Sequence, residues 1–190
     1  MNWTLPGTTL AIQRSDACRA NGLFQSMFLA GGLTLSQVAN ITGLEPYAIQ
    51  NWVKRGFLSP PVGKRYDMEQ VCRIIHINTL KGALPLESIQ SLLSYINGSL
   101  IDESDDIIDD SQLYFMFVRL AAQARDNLSG ESWDNAIRDV MATYQEPVPG
   151  AADRVARALR VMLTAWIASR LRQGAEKMLS ELAVQEPAAL

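Results

Sequence analysis

Helix start and stop signals are packed into residues 34–56, and they constrain the fold more than any other feature of the chain. The segment TLSQ at 34–37 predicts a capping box, in which the threonine and glutamine side chains satisfy each other's backbone amides. Gly43 predicts the end of that helix. Pro46 suits the first position of a second helix, because its missing N–H costs nothing there. Gly56 predicts the end of the second helix. Two short helices joined by a glycine turn are typical of a helix-turn-helix unit.

The residues after this unit predict a short extended excursion and two further helices. The proline pair at 60–61 and Gly63 exclude regular helix. Asp67 predicts the cap of a third helix whose apolar residues lie on more than one flank, which indicates a central position. A fourth helix is predicted over 86–96. Gly98 then opens a linker into the acidic run DESDDIIDD.

The chain is predicted to be all-α, because no strand of normal length can be found, and to consist of three segments. Residues 1–33 are expected to form an N-terminal helical arm, 34–97 the helix-turn-helix domain, and 98–190 an acidic helical C-terminal domain. The last helix, predicted from about 151 to 183, carries an apolar stripe longer than a small domain needs. That stripe could serve a dimer interface or intramolecular packing, and the sequence leaves both open.

Charge is distributed unevenly along the chain, although the net charge is only −3. Residues 35–81 hold six basic side chains against three acidic ones, whereas residues 101–153 hold three basic against twelve acidic. A local basic region in an acidic molecule is a pattern expected of a protein that binds nucleic acid through one face.

The second helix of the unit has the chemistry of a DNA reader. With Ile49, Trp52 and Val53 packed inward, its other face is left to enter a major groove. Amide side chains there can bond an adenine edge, and cationic ones can bond guanine or phosphate. The alternative is an ordinary solvated helix face. The predicted DNA-binding residues are Tyr47, Gln50, Asn51, Lys54, Arg55, Lys64 and Arg65.

Three stretches occur in a recognisable order: LTLSQVANITGLEPYAIQNWVKRGFLSPP, then KRYDMEQV, then TLKGALPLESIQSLL. Together they resemble the DNA-binding domain of the MerR-type transcription regulators over residues 34–97. That resemblance implies a winged helix-turn-helix, with Lys64 and Arg65 at the basic return of the wing. MerR-type proteins usually carry an arginine and two tyrosines in the second helix, where this chain has Gln50, Asn51 and Trp52, and the wing here is shorter. The chain as a whole is similar to an uncharacterised bacterial family, domain of unknown function 1836.

Other chemistries have little support in the sequence. Cys72 and His76 have a helical spacing that can place two metal ligands on one face, but a buried thiol beside a partnered histidine is favoured because no further ligand is near. Cys18 is too distant from Cys72 in sequence to suggest a disulfide scaffold. The acidic run lacks the spacing of a calcium-binding loop. No catalytic residues, metal or cofactor are therefore expected, and the chain is not expected to be an enzyme.

The sequence thus favours a sequence-specific transcription regulator of the MerR-like type that binds double-stranded DNA as a homodimer, with an effector that the sequence does not identify. The alternative is a non-enzymatic protein-interaction adaptor that keeps a winged-helix fold without binding DNA. The first residues lack a signal peptide pattern, and the longest apolar run is far too short to span a bilayer. A cytoplasmic protein without membrane attachment is therefore expected.

Overall fold

The computed structural model describes residues 2–98, 106–124 and 130–185, and most of them are helical. The fold class is therefore all-α, as predicted. The helices are α1 Ala20–Phe28, α2 Leu35–Thr42, α3 Pro46–Lys54, α4 Met68–Leu80, α5 Leu86–Asn97, α6 Asp110–Gln123, α7 Gly130–Met141 and α8 Ala151–Gln185. A 3₁₀ helix over Arg14–Arg19 precedes α1. The strands are β1 Asn2–Thr4, β2 Ala11–Gln13, β3 Leu33–Thr34 and β4 Arg65–Tyr66.

The local signals in residues 34–56 act as predicted. The Thr34 hydroxyl accepts the backbone N–H of Gln37, and the Gln37 side chain accepts the backbone N–H of Thr34, which completes the capping box of α2. Gly43 ends α2 in the left-handed conformation, with a φ of 68° that glycine adopts at little cost. Pro46 is the first residue of α3. A three-residue connection therefore joins two short helices.

The segment after α3 forms a tight turn that leads into a two-stranded ribbon. β3 and β4 pair antiparallel, with Leu33 opposite Tyr66. Just before β4, Val62 and Arg65 form an antiparallel bridge around Gly63 and Lys64, whose φ angles are 56° and 62°. Two successive positive φ values are typical of the type I′ turn that connects hairpin strands. We call residues 62–65 the 62–65 turn.

Helix α4 is the centre of the molecule, which confirms the prediction from its apolar flanks. It begins at an Asp67 capping box and packs against α1, α2, α5, α6 and α8. Nearly all of its residues are buried, including the polar side chains of Arg73 and His76. One continuous buried core runs from Leu5 to Trp166 and draws on all three predicted segments.

The N-terminal segment differs most from the sequence prediction. A helical arm is expected over 1–33, but here the structure has a β1–β2 hairpin, with Trp3 opposite Ile12, before the 3₁₀ helix and α1. Strands of three residues are too short to produce a recognisable alternating pattern. The segment is also tied to the C-terminal end of α6, because the Arg14 guanidinium donates at 2.9 to 3.1 Å to the carbonyl oxygens of Ala121, Ala122 and Ala124.

Helix α8 has two dissimilar halves. From Ala151 to Ser169 it contributes core residues and packs against α4, α5, α6 and α7. Between Leu171 and Leu182 its large apolar side chains are exposed. In the part of the chain that the structure describes, no helix combines the length and apolar character needed to cross a membrane.

Candidate nucleic-acid interface

The outer face of α3 carries the polar side chains that the sequence predicts. Ile49 and Trp52 are buried and anchor the helix to the core, while Val53 is half-buried. This amphipathic pattern fixes the rotation of the helix about its axis. The remaining positions face solvent, and the exposed side chains are Tyr47, Gln50, Asn51, Lys54 and Arg55.

A groove separates this face from the 62–65 turn. It has a volume of about 540 Å³, and Gln50, Lys54 and Lys64 line it together. Its walls also include four apolar residues, namely Leu35, Val53, Pro61 and Tyr66. The structure therefore brings three of the seven predicted residues to one groove, with a cation from α3 and another from the turn.

Arg55 is directed elsewhere. Its Nη2 lies 2.8 Å from Oε1 of Glu87, in the first turn of α5, and its guanidinium stacks 4.7 Å from the centroid of the Phe57 ring. Because Glu87 neutralises much of its charge, Arg55 is less available to a phosphate than the sequence suggests. The sequence alone could not identify this pair, because Arg55 and Glu87 are 32 residues apart.

Arg65 has a structural contact of its own. Its Nη1 donates to the Gly32 carbonyl at 2.8 Å, so that the side chain links β4 to the residue before β3. Space is limited at this point, because a Cβ on Gly32 would lie 2.9 Å from the Tyr66 carbonyl oxygen. Arg65 is still exposed and next to Lys64, but part of its hydrogen-bonding capacity is committed to the ribbon.

A buried polar cluster links α4 to the start of α6. The Arg73 guanidinium lies 3.1 Å from a carboxylate oxygen of Asp110, and both side chains are almost fully buried. His76 Nε2 lies 3.0 Å from the Asp110 carbonyl oxygen, which can only accept, so Nε2 carries the proton. Asp109 caps α6 by accepting the backbone N–H of Gln112 at 2.6 Å. The earlier acidic residues 102–105 lie outside the described residues.

Burial controls the titration of this cluster. Desolvation lowers the pKa of His76, and the nearby Arg73 charge lowers it further, whereas Asp110 raises it. Burial also raises the pKa of the Cys72 thiol well above its ordinary value, with the Asp110 charge acting in the same direction. Among the described residues, no three histidine, cysteine or carboxylate side chains come together as metal ligands would. Cys72 and His76 are both fully buried in α4.

Comparisons with known proteins find partial matches, none of which has an assigned activity. Residues 31–117 match the family model described as "Domain of unknown function (DUF1836)". The chain is also similar to the "Uncharacterized protein YkrK" of Bacillus subtilis (strain 168), at 33% identity over 84 residues. That alignment covers 42% of this chain and 36% of the relative's length. No solved structure matches the chain significantly. The family match supports the predicted resemblance over the region that holds α2 to α5, the 62–65 turn and part of α6, which is less than half of the chain for which it was predicted.

Proposed function

We propose that the chain is a DNA-binding transcription regulator of the MerR-like type, in which α2 and α3 are the helix-turn-helix and the 62–65 turn is a short wing. The observation that supports this most is the shared groove of Gln50, Lys54 and Lys64, beside the exposed Asn51 and Tyr47. A helix that enters the major groove needs such a polar face, flanked by cations that reach the phosphates.

The side chains divide naturally into two roles. Gln50 and Asn51 each present a donor and an acceptor, which matches the N6 and N7 edge of adenine. Lys54 and Lys64 present point charges on flexible chains, which suit phosphate oxygens. Tyr47, near the start of α3 and 72% exposed, can contact either the backbone or a thymine methyl group. Arg55 and Arg65 contribute less than these in the proposal, because Glu87 and the Gly32 carbonyl already engage them.

Dimerisation would use the exposed end of α8. Leu171, Ala175, Met178 and Leu182 are exposed and follow a 4-3-4 spacing, which is the heptad pattern of a coiled-coil seam. The helix exposes these large apolar residues instead of burying them, and a second copy of the chain would cover them. A symmetric dimer would present two α3 helices to two half-sites.

The decisive experiment is selection of binding sites from random duplex DNA, followed by fluorescence anisotropy on the selected site at several salt concentrations. Asn51→Ala should cost about 1–3 kcal/mol at one base position and relax the preference there. Gln25→Ala is a matched control, because Gln25 is an exposed amide on α1, outside the groove. If selection enriches no sequence, or if the two variants behave alike, the proposal is wrong.

One observation favours a second candidate function. The groove between α3 and the 62–65 turn has apolar walls, from Leu35, Val53, Pro61 and Tyr66, and such a groove could hold an extended peptide. The chain would then be a protein-interaction adaptor with this fold and not a DNA-binding regulator. Absence of duplex binding at low salt, together with a protein partner whose binding is lost in Val53→Lys, would support it.

A further inference from the structure

A second and larger cavity lies behind α3, on the side away from the proposed DNA face. Its volume is about 890 Å³, which is within the range of small-molecule sites. Five parts of the fold line it: the N-terminal hairpin, α3, the C-terminal end of α4, the first residue of α5 and the middle of α8. None of the residues assigned above to DNA contacts lines it, so it is separate from the groove beside the 62–65 turn.

The lining combines indole rings with cations. The Lys81 ammonium lies 5.9 Å from the centroid of the Trp52 ring, and the Arg170 guanidinium lies 4.9 Å from that of Trp166. Arg172 supplies a third cation, and its Nε lies 3.7 Å from Oε1 of Glu176 on the same helix. Within the described ranges, no acidic side chain lines the cavity, and neither Lys81 nor Arg170 forms an ion pair. The lining thus carries three cations and no carboxylate, although Glu176 pairs with Arg172 from outside the lining.

The walls of the cavity are fixed by close contacts. Asn78 donates to the carbonyl oxygens of Gly7 and Thr42 at 2.9 and 2.8 Å, which joins the hairpin to α2 and α4. A Cβ on Gly82 would lie 2.2 Å from the Ser169 hydroxyl, so the end of α4 and the middle of α8 approach as closely as glycine allows. The cavity is therefore formed before any ligand arrives, and little ordering cost opposes binding.

We propose that this cavity binds a small planar anion, that is, an aromatic ring carrying a carboxylate or phosphate group. The ring would contact the small parts of Trp52 and Trp166 that remain accessible, 5% and 8% of each residue. The anionic group would be held by Lys81, Arg170 and Arg172. Guanidinium groups bind both carboxylate and phosphate through paired hydrogen bonds. Desolvation already lowers the pKa of Lys81, and an anion beside it would reverse that effect.

A ligand in this cavity would contact α3, the helix proposed to enter the major groove. Ala48 and Trp52, one turn apart on α3, line the cavity, while Gln50 and Lys54 line the groove on another face of the same helix. A ligand could thus shift α3 relative to DNA. This regulatory consequence rests on the proposed function, whereas ligand binding itself does not.

The test uses the full chain without DNA and three probes: naphthoate, naphthyl phosphate and the uncharged naphthamide. Calorimetry and quenching of tryptophan fluorescence should show at least one of the anions binding at one site per chain, and naphthamide binding far more weakly. The two anionic probes distinguish a carboxylate ligand from a phosphate ligand. Because DNA is absent, a failure here is distinct from a failure of the DNA-binding proposal.

Variants then locate the site. Lys81→Gln and Arg170→Gln should each weaken the binding of the anion about tenfold, because each removes a charge-assisted contact. Lys177→Gln is the matched control, since Lys177 is an exposed cation on the same helix, outside the cavity, that pairs with Glu181. The proposal is overturned if neither anion binds at millimolar concentration, if naphthamide binds equally well, or if the Lys177 variant loses as much affinity as the other two. Circular dichroism confirms that each variant is folded.

Discussion

Lys64 is the one residue other than glycine with a positive φ among the described residues, and it lies at the tip of the 62–65 turn. A left-handed conformation costs a side chain such as lysine about 1 kcal/mol, which glycine or asparagine would avoid in part. The position therefore keeps a cation where the backbone would prefer another residue. The Lys64 side chain lines the same groove as Lys54 and Gln50, where its charge can act on a bound phosphate.

Lys64→Asn removes the positive charge and preserves the backbone conformation of the turn. Asparagine tolerates the left-handed conformation, so the free energy of unfolding should stay within about 0.5 kcal/mol of the wild type. DNA affinity should fall alike for all sequences, and the slope of log affinity against log salt should drop by about one. Anisotropy titrations measure both quantities. Lys64→Arg keeps the charge and should keep the slope; an Asn variant with the wild-type slope would exclude Lys64 as a phosphate contact.

His76 gives a prediction about pH, and it is the single histidine of the chain. Its pKa is lowered in the fold from 6.5, chiefly by desolvation, so the unfolded chain takes up a proton more readily than the folded one. The stability that His76 contributes is present above pH 6.5 and is lost as the pH falls from there toward the lower folded value.

Urea unfolding followed over this range should show the loss, and an NMR titration can assign it. The imidazole signals of the folded protein should start to shift only at a pH below the ordinary histidine range. Titration at the ordinary pKa would mean that the ring reaches solvent and that α4 is less buried than described.

At the scale of elements, the Arg73–Asp110 pair joins α4 to the first turn of α6. Asp110→Asn leaves the buried Arg73 charge without its partner and should destabilise the protein by about 3–5 kcal/mol, measured by urea unfolding. Arg55→Ala, which breaks the exposed pair with Glu87, should cost under about 1 kcal/mol and serves as the comparison. Equal losses in the two variants would show that Arg73 is solvated.

The elements also show what the sequence can and cannot reveal. The caps at Thr34 and Asp67 and the stop at Gly43 act within four residues, so local chemistry alone predicts them. The partners of Arg14, Arg55 and Arg73 lie between 16 and 110 residues away, and only the folded chain brings them together. For the candidate interface, the exposed face of α3 was predictable from its periodicity. The loss of Arg55 to Glu87 and the second cavity were not.

At the scale of the whole molecule, the two halves of α8 predict the oligomeric state. Leu171→Lys together with Met178→Lys should convert a dimer to a monomer, because these side chains are 59% and 65% exposed and lie on one seam. Sedimentation equilibrium measures the mass. Leu29→Lys is the control. Leu29 is an apolar residue just after α1, is 86% exposed and is remote in sequence from α8, so this variant should leave the dimer intact. A double variant that remains dimeric would place the interface elsewhere.

The close contact between Gly82 and Ser169 is a point about which the outer half of α8 could pivot. Ser169 would be the pivot, since its side chain lies directly against Gly82, where a Cβ would be 2.2 Å from the hydroxyl. The segment of α8 from Ser169 to Gln185 is about 24 Å long. A tilt of about 10° at Ser169 would therefore move the C-terminal end of the helix by about 4 Å relative to the core. In a dimer joined along this segment, a small tilt at Ser169 would change the distance between the two copies of α3. The dimer would then fit operator half-sites with a different spacing.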